Sequence, residues 1–379
     1  MGNVEEVMRE RVREVIRRSG LTDAQFARRI QMDPPKLSKS LGGTRRFTSF
    51  ELASVAGEGG TTIDWLLAGD EPRVSVSARA QADAAIGQAL ARAETYAEAD
   101  ATLRRLHDGG AEPPPLPKVT LAPLAIEAGP ALAGHARSMI EQSAQAHLLD
   151  KDPASVMEDV FGLNVAVEAF EDGLDGLAYV TGGFRLILVN SRISWSRQRF
   201  TLAHELAHVL ARDGEGSGGV CVDRDVMDTR ANRVAEVRAN SFAAAFLMPA
   251  GQVRAAFAHS VGEAAFAQAV GRFMVSPSAL AWRMVNLGLI DDHAARPLLA
   301  MPVQRAVRLG EWEARFDELT VHQNRARPPA SLAARAAQAL LEGRIGARPM
   351  AAILDVPPET LLSSPGGADL AGQEPVFEP

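Results

Sequence analysis

Two histidines and a glutamate in the middle of the chain have the spacing of a metal-dependent hydrolase. The pattern is His204-Glu205-Leu206-Ala207-His208. Residues i and i+4 lie on one face of a helix, so both imidazoles can bind the same metal ion. Glu205 would lie beside that ion without binding it and could accept a proton from bound water. The spacing therefore predicts metal-assisted hydrolysis with Glu205 as the catalytic residue.

The residues around this pattern predict the helix that it requires. Apolar residues recur at helical spacing from residue 199 to residue 210 and would give the helix a face to bury: Phe200, Leu202, Leu206, Val209 and Leu210. A buried helix could also hold two histidines as hydrogen-bonded core residues. A third ligand is needed to decide between these interpretations, because a catalytic zinc usually has three protein ligands and one water.

Two residues are candidates for the third ligand. Cys221 has a soft sulfur, but it follows a Gly-rich stretch that predicts no supporting geometry. Glu236 lies on a predicted helix that ends at Pro249 and that could pack against the first helix through Phe242 and Phe246. A glutamate on an Ala-rich helix is usually solvated. The residue types alone therefore leave the third ligand open.

A resemblance to a known family bears on this choice. The run 200–210, followed by Glu236-x-x-Ala239-Asn240-x-Phe242 and ending at Met248-Pro249, resembles the ImmA/IrrE family of zinc metallopeptidases, as does the run 275–290. The similarity covers roughly residues 135–292. It implies that His204, His208 and Glu236 bind Zn²⁺ and that Glu205 is catalytic. It also implies a transcriptional repressor or an antitoxin-like protein as the substrate, cleaved during stress.

The N-terminal segment predicts a helix-turn-helix. Thr22 and Asp33 are expected to begin the second and third helices, and Gly42-Gly43 to end the third. This segment, together with the run 63–69, resembles the XRE-type DNA-binding domain. The resemblance implies that Lys36 and Lys39 contact bases or phosphates, and that Arg45 and Arg46 contact the DNA backbone.

Two features of the same segment weigh against DNA binding. Asp23 stands where the XRE-type family usually has a glutamine that contacts a phosphate, and an acid there would weaken binding. Basic and acidic residues also nearly balance over this segment. The alternative interpretation is a small helical interaction module that does not bind DNA.

The expected fold is mainly α with a small β-sheet. Residues 1–70 form an all-α helix-turn-helix domain, and 71–132 an exposed helical spacer followed by a Pro-rich linker at 108–117. Residues 133–300 form a zincin-like α+β peptidase domain. A small helical domain at 301–362 and a disordered tail at 363–379 complete the chain.

Three strands are predicted inside the peptidase segment. Residues 163–168 alternate like a strand, and 176–180 and 184–190 form a hairpin around Gly182-Gly183. The strand at 183–189, or 178–181 beside it, could hold an extended peptide by strand addition. Tyr179 is a candidate donor to an oxyanion, although a packing role in the sheet is equally consistent with its position.

The composition and charge of the chain limit the binding partners and the cellular compartment that we expect. The formal charge is −7, so nucleic-acid binding must be local. A single cysteine excludes an internal disulfide framework and favours a reducing compartment. No apolar run is long enough for a membrane span. We therefore expect a cytoplasmic protein. A homodimer is also expected, because one helix-turn-helix domain usually reads a half-site, and the helical spacer is the expected contact.

Two hypotheses of different classes follow. The first is a cytoplasmic regulatory zinc endopeptidase that its N-terminal domain directs to DNA or to a DNA-bound repressor. The second is a DNA-binding regulator or antitoxin whose metallopeptidase domain senses a signal or binds a partner without proteolysis. The intact set of His204, Glu205, His208 and Glu236 favours the first, because a scaffold has no need of Glu205.

Overall fold

The chain forms two compact units, Met1–Ala80 and Gln81–Pro379. The computed structural model describes residues 4–30, 32–58, 66, 76–106, 116, 125–171, 173–181, 183–213, 220–222, 230–258 and 261–363. The predictions for the run 63–69 (apart from Leu66), for the Pro-rich linker (apart from Leu116) and for the tail beyond Ser363 lie outside the described residues.

The first unit is all-α in its described part, as predicted. Its helices are α1 (Val4–Arg18), α2 (Asp23–Arg29), α3 (Pro34–Leu41) and α4 (Ser49–Glu58). Thr22 caps α2 through a capping box with Gln25, and Asp33 precedes the proline that begins α3. The core is built from apolar residues of all four helices, among them Val12, Phe26, Leu37 and Val55.

The second unit is also mostly helical, and its described part contains one sheet. Its helices are α5 (Val76–Leu106, which begins in the first unit), α6 (Ala125–Glu141), α7 (Pro153–Phe161), α8 (Trp195–Ala211), α9 (Arg230–Leu247), α10 (Ala250–Ala256), α11 (Glu263–Phe273), α12 (Pro277–Asn286), α13 (Asp292–Leu299), α14 (Val303–Gly310), α15 (Glu313–His322), α16 (Ala330–Leu341), α17 (Ala347–Leu354) and α18 (Pro358–Ser363). No helix in the described part of the chain is long and apolar enough to cross a membrane.

The sheet has four strands in the order β1-β3-β2-β4. They are β1 (Asn164–Glu168), β2 (Gly176–Thr181), β3 (Phe184–Asn190) and β4 (Val220–Val222). The predicted hairpin is confirmed: β2 and β3 pair antiparallel, and Gly183 has the positive φ of +81° that the turn requires. β1 runs parallel to β3. Because β3 has a neighbour on each side, the prediction that a peptide adds to 183–189 is wrong.

The outer edge of β1 is covered by a C-terminal segment. Arg327 and Val167 exchange both backbone hydrogen bonds at 2.9 Å. The Arg327 guanidinium donates to the Val165 carbonyl at 2.7 Å and to the Glu158 carboxylate at 2.5 Å. Glu158 is almost fully buried, so this ion pair also neutralises a buried acid. The sheet therefore does not offer a bare β1 edge at Val167 to other chains.

The predicted spacer is a helix, but the prediction that it is exposed is wrong. Within the second unit, α5 packs on the sheet face opposite α8. Its contact stripe is made mainly of small residues at helical spacing, and they are buried: Ala85, Ala89, Ala93, Tyr96 and Leu103. Alanines let a helix lie close to a sheet, so the absence of large aliphatic residues does not mean exposure. This face is used inside the unit, and a homodimer stays a prediction.

The C-terminal helices form as predicted, but they share cores with residues 133–300. Trp312 lies edge-to-face against Trp195 of α8, with ring centroids 6.3 Å apart. Leu332 and Ala336 of α16 belong to the cluster that covers the sheet beneath α5. The expected boundaries at residues 132 and 300 therefore do not coincide with a break between compact units.

We predict that Gly129→Ala destabilises the second unit. A Cβ at this position of α6 would meet the Arg238 carbonyl oxygen at 2.5 Å and the Phe242 amide nitrogen at 2.7 Å, both backbone atoms of α9. Such overpacking costs about 1–3 kcal/mol. Equilibrium urea unfolding followed by tryptophan fluorescence measures it, since three of the four tryptophans lie in this unit.

Gly134→Ala is the matched control on the same helix. A Cβ at Gly134 meets nothing within 4 Å, so the substitution should stabilise the helix by about 0.5–1 kcal/mol. Equal effects of the two substitutions would contradict the close α6–α9 contact.

Candidate metal centre

Three side chains from two helices bring their donor atoms together. α8 supplies His204 and His208, whose Nε2 atoms are 3.1 Å apart. α9 supplies Glu236, whose carboxylate oxygens lie 3.2 Å from His204 Nε2 and 3.4 Å from His208 Nε2. Two vertices of a tetrahedral zinc site with bonds near 2.05 Å are roughly 3.3 Å apart. The two imidazoles, and each imidazole with its nearer carboxylate oxygen, therefore have separations suited to ligands of one ion.

The far sides of both imidazoles face acceptor oxygens. His204 Nδ1 lies 3.1 Å from Asn240 Oδ1, and His208 Nδ1 lies 2.9 Å from Asp213 Oδ2. Each ring therefore carries its proton on Nδ1 and directs an Nε2 lone pair towards the Glu236 carboxylate. Two lone pairs and a carboxylate that converge in a partly buried space repel one another unless a cation lies between them. The chemistry of this donor set thus fits a bound metal ion.

Glu236 is held in the ionised form that a metal ligand needs. Burial alone would raise the pKa of its carboxyl, but hydrogen bonds and charge interactions with His204 and His208 in their protonated forms outweigh burial and hold the pKa well below its usual range. Asp213 follows the same logic, since burial is outweighed there by His208 and the Arg238 guanidinium. Both carboxylates are therefore charged at neutral pH.

Glu205 lies on the side of α8 that faces the sheet. It is fully buried, and its Cγ would be 3.6 Å from a Cβ placed on Gly176 at the start of β2. The same Cβ would meet Thr201 Cγ2 and the Leu188 carbonyl oxygen at 2.6 Å. Only glycine fits at this point, so Gly176 allows β2 to reach the helix that carries the site. Glu205 thus lies between the ligand pair and the hairpin.

Small residues allow α8 and α9 to pack closely. Ala203 and Ala207 on α8 and Ala239 and Ala243 on α9 are buried in one cluster. Phe242 and Phe246 stack at a centroid distance of 5.4 Å and fill the remaining space against α6. This close packing therefore brings Glu236 on α9 within reach of the two histidines on α8.

The other candidates near the site are placed differently. Cys221 pairs through its backbone with Ala178, in the antiparallel contact of β4 with the outer edge of β2 at residues 177–179. The Cys221 side chain lies outside the described part of the chain. Tyr179 packs with the α5 cluster, and burial together with Glu94 and Glu98 raises its pKa. It therefore lies on the sheet face away from α8, which supports the packing role of Tyr179 over the role of oxyanion donor.

The predicted DNA-contacting residues lie in the first unit. Lys36 and Lys39 on α3, and Arg46 after it, are exposed. Arg45 is engaged within the unit: its guanidinium donates to both Glu51 oxygens, at 2.7 and 2.8 Å, and to Ser40 Oγ at 2.9 Å. Because its charge is compensated by Glu51, Arg45 offers less to a phosphate than the sequence alone suggests.

Sequence reasoning missed the residues behind the ligands. Asp213 and Asn240 contact the histidines, and Arg238 donates to both oxygens of Asp213. Arg238 and Asn240 lie two and four residues after Glu236. The four-residue spacing alone could have predicted that Asn240 shares a helical face with Glu236. The sequence contains no such signal for Asp213, because only the fold shows that the chain turns back after α8 and brings Asp213 to His208.

The segment that contains this centre is similar to a known protein family. Residues 158–284, which include both histidines, Glu205 and Glu236, match the family model described as the IrrE N-terminal-like domain of the peptidase M78 family. No curated protein matches the chain. The match supports the resemblance to ImmA/IrrE-type metallopeptidases. It does not extend to the first unit, whose helix-turn-helix assignment stays a prediction.

We predict that His204→Ala, His208→Ala and Glu236→Ala each abolish stoichiometric zinc binding, because each removes one of three converging donors. The zinc content of each variant is measured by inductively coupled plasma mass spectrometry after gel filtration. His135→Ala and Glu127→Ala, both exposed positions on α6, should retain the metal. Full zinc content in Glu236→Ala would remove that residue from the site.

Proposed function

We propose that the chain is a zinc metallopeptidase that hydrolyses a peptide bond in a protein substrate. The observation that carries the proposal is the convergence of His204, His208 and Glu236, with Glu205 buried beside them. The match of this segment to a peptidase family model supports the same reaction class. Zinc, rather than another divalent ion, is proposed from two imidazoles and one carboxylate, a ligand set typical of catalytic zinc.

The chain's own residues then have separate tasks. When bound, zinc supplies Lewis acidity, which lowers the pKa of a coordinated water towards about 7 and polarises the scissile carbonyl. The ionised Glu236 and the two Nδ1-protonated histidines would hold the ion. Glu205 accepts the proton of the attacking water and passes it to the leaving nitrogen. Its burial keeps this carboxylate out of bulk water, which strengthens its hydrogen bond to the water.

The outer edge of β2 is the proposed place for the substrate backbone. β4 pairs with residues 177–179 along that edge. An extended peptide takes the place of β4 there. β4 is three residues long, and its few hydrogen bonds contribute about 1 kcal/mol each, so displacement is feasible.

The substrate class is proposed from the family resemblance. It is a transcriptional repressor or an antitoxin-like protein in the cytoplasm, cleaved during stress. The alternative is a regulator whose metal domain senses a signal or binds a partner without cleaving it. Glu205 separates the two, because only proteolysis needs a proton acceptor that does not bind the metal.

We predict that Glu205→Gln lowers cleavage by roughly two to four orders of magnitude, the usual contribution of a positioned acid/base. Glutamine has the same size but cannot accept the proton, so zinc content and folding should be unchanged. The measurement follows fragments of repressor or antitoxin-like proteins encoded nearby, with zinc-loaded protein and in cells under stress.

Glu127→Gln, an exposed glutamate on α6, is the matched control and should cleave like the wild type. A cellular phenotype that survives Glu205→Gln, with no fragment from either variant, would overturn the peptidase in favour of the sensor.

We also propose that the first unit binds DNA through α3. Lys36 and Lys39 are exposed on α3, and Arg46 is exposed after it. The Arg45 guanidinium binds Glu51. Lys36 and Lys39 are three residues apart and therefore share one face of the helix. DNA binding would direct the peptidase to a DNA-bound repressor, and a homodimer would read two half-sites.

We predict that Lys36→Ala/Lys39→Ala weakens binding to DNA fragments selected by the full-length protein. Each lost phosphate contact lowers the slope of log affinity against log salt by about 0.9. The double variant should therefore show both lower affinity and a salt slope reduced by up to about 2. Lys151→Ala/Arg105→Ala makes the same charge change in the second unit and is the control. If the α3 variant binds DNA like the wild type at several salt concentrations, the assignment of α3 as the DNA-binding helix is wrong.

A further inference from the structure

Asp213 is tied to His208 by two separate hydrogen bonds. α8 ends at Ala211, and the next residue, Arg212, adopts the left-handed conformation with φ 58° and turns the chain back over the helix. The Asp213 amide then donates to the His208 carbonyl at 3.0 Å, while His208 Nδ1 donates to Asp213 Oδ2 at 2.9 Å. Main chain and side chain of Asp213 thus contact one residue, the second histidine of the metal centre.

Arg238 joins this pair from the other helix. Its guanidinium donates to both oxygens of Asp213, and it is buried with 7% of its surface exposed. Arg238 follows Glu236 by two residues on α9. The chain of contacts His208–Asp213–Arg238 therefore links the helix of the two histidines to the helix of the third ligand. It does so behind the metal centre and without using any donor atom that faces the ion.

The two histidines are supported unequally. His204 Nδ1 faces the neutral amide oxygen of Asn240, an exposed residue, at 3.1 Å. His208 faces a carboxylate that is itself held by a buried cation. A hydrogen bond to an ionised acceptor is roughly twice as strong as one to a neutral acceptor. His208 is therefore the more firmly oriented ligand of the two.

Resting on the metal centre of the proposed function, we infer that Asp213 and Arg238 are positioning residues that set the zinc affinity. Asp213 fixes the Nδ1-protonated form and the orientation of the His208 ring, which makes Nε2 a better donor. Arg238 holds Asp213 in place and offsets one negative charge near a site that already contains Glu205 and Glu236. Removing Arg238 would leave the partly buried Asp213 carboxylate without a compensating positive charge.

A purely structural ion pair would give the same contacts, so the test measures metal affinity and apo-protein stability separately. Asp213→Ala and Asp213→Asn are made in the full chain, and zinc affinity is measured by competition with a chromophoric chelator. We expect a loss of about 10–100-fold for Asp213→Ala, the usual effect of removing such a partner. Asp213→Asn retains an acceptor oxygen and should lose less. Asn240→Ala, which removes only the neutral support of His204, should also lose less.

Asp100→Asn supplies the structural control. Asp100 is a buried carboxylate that binds Arg104 and Arg335 in the same unit, away from the ligands. Its substitution should lower the urea midpoint of the apo-protein and leave zinc affinity within twofold. Arg238→Met should weaken zinc binding in the direction of Asp213→Ala. Should Asp213→Ala not fold, Asp213→Asn and Arg238→Met carry the test.

The outcomes separate this inference from the proposed function. Wild-type affinity in Asp213→Ala, or a loss in Asp100→Asn as large as that in Asp213→Asn, overturns the positioning role and leaves the peptidase intact. A wild-type chain that binds no zinc overturns the metal centre itself. In cobalt-loaded protein, Asp213→Asn should also shift the visible d–d bands, which a structural pair remote from the ion would not do.

Discussion

The whole site depends on how closely α8 and α9 pack. The donor atoms of His204, His208 and Glu236 can meet at 3.1–3.4 Å only if the two helices approach each other within the reach of one glutamate side chain. Alanines on both facing surfaces permit that approach, and Gly129 lets α6 press on α9 from the other side. Close packing of small residues gives no room for adjustment, so it fixes the position of the donors as well as the fold.

The remainder of the second unit supports this pair of helices from three directions. The hairpin of β2 and β3 lies against α8, and Gly176 removes the side chain that would keep them apart. α5 and α16 cover the opposite face of the sheet. Trp312 and the segment around Arg327 close the sides. The spacer and the C-terminal helices are thus parts of the scaffold of the metal centre, although neither belongs to the segment that matches the peptidase family.

The sequence predicts those features that are set by local spacing. Residues 204 and 208 lie on one helical face whatever surrounds them, and the Gly182-Gly183 pair between two apolar runs specifies the hairpin. Glu236 needed the family resemblance, since spacing along α9 does not say where α9 packs. The burial of α5 was missed because alanine stripes resemble exposed helix by composition. No local sequence pattern predicts the three-residue β4 or the contact of Asp213 with Arg238. Both depend on tertiary packing between residues that are distant in the chain.

The central claim is a metal centre with two imidazoles, one carboxylate and no sulfur. X-ray absorption at the zinc edge of the loaded wild-type protein tests it most directly, because the first shell distinguishes nitrogen and oxygen from sulfur by distance. The account predicts only nitrogen and oxygen neighbours at about 2.0–2.2 Å, with the outer-shell scattering of two imidazole rings. A sulfur neighbour at about 2.3 Å would contradict it and place Cys221 on the metal.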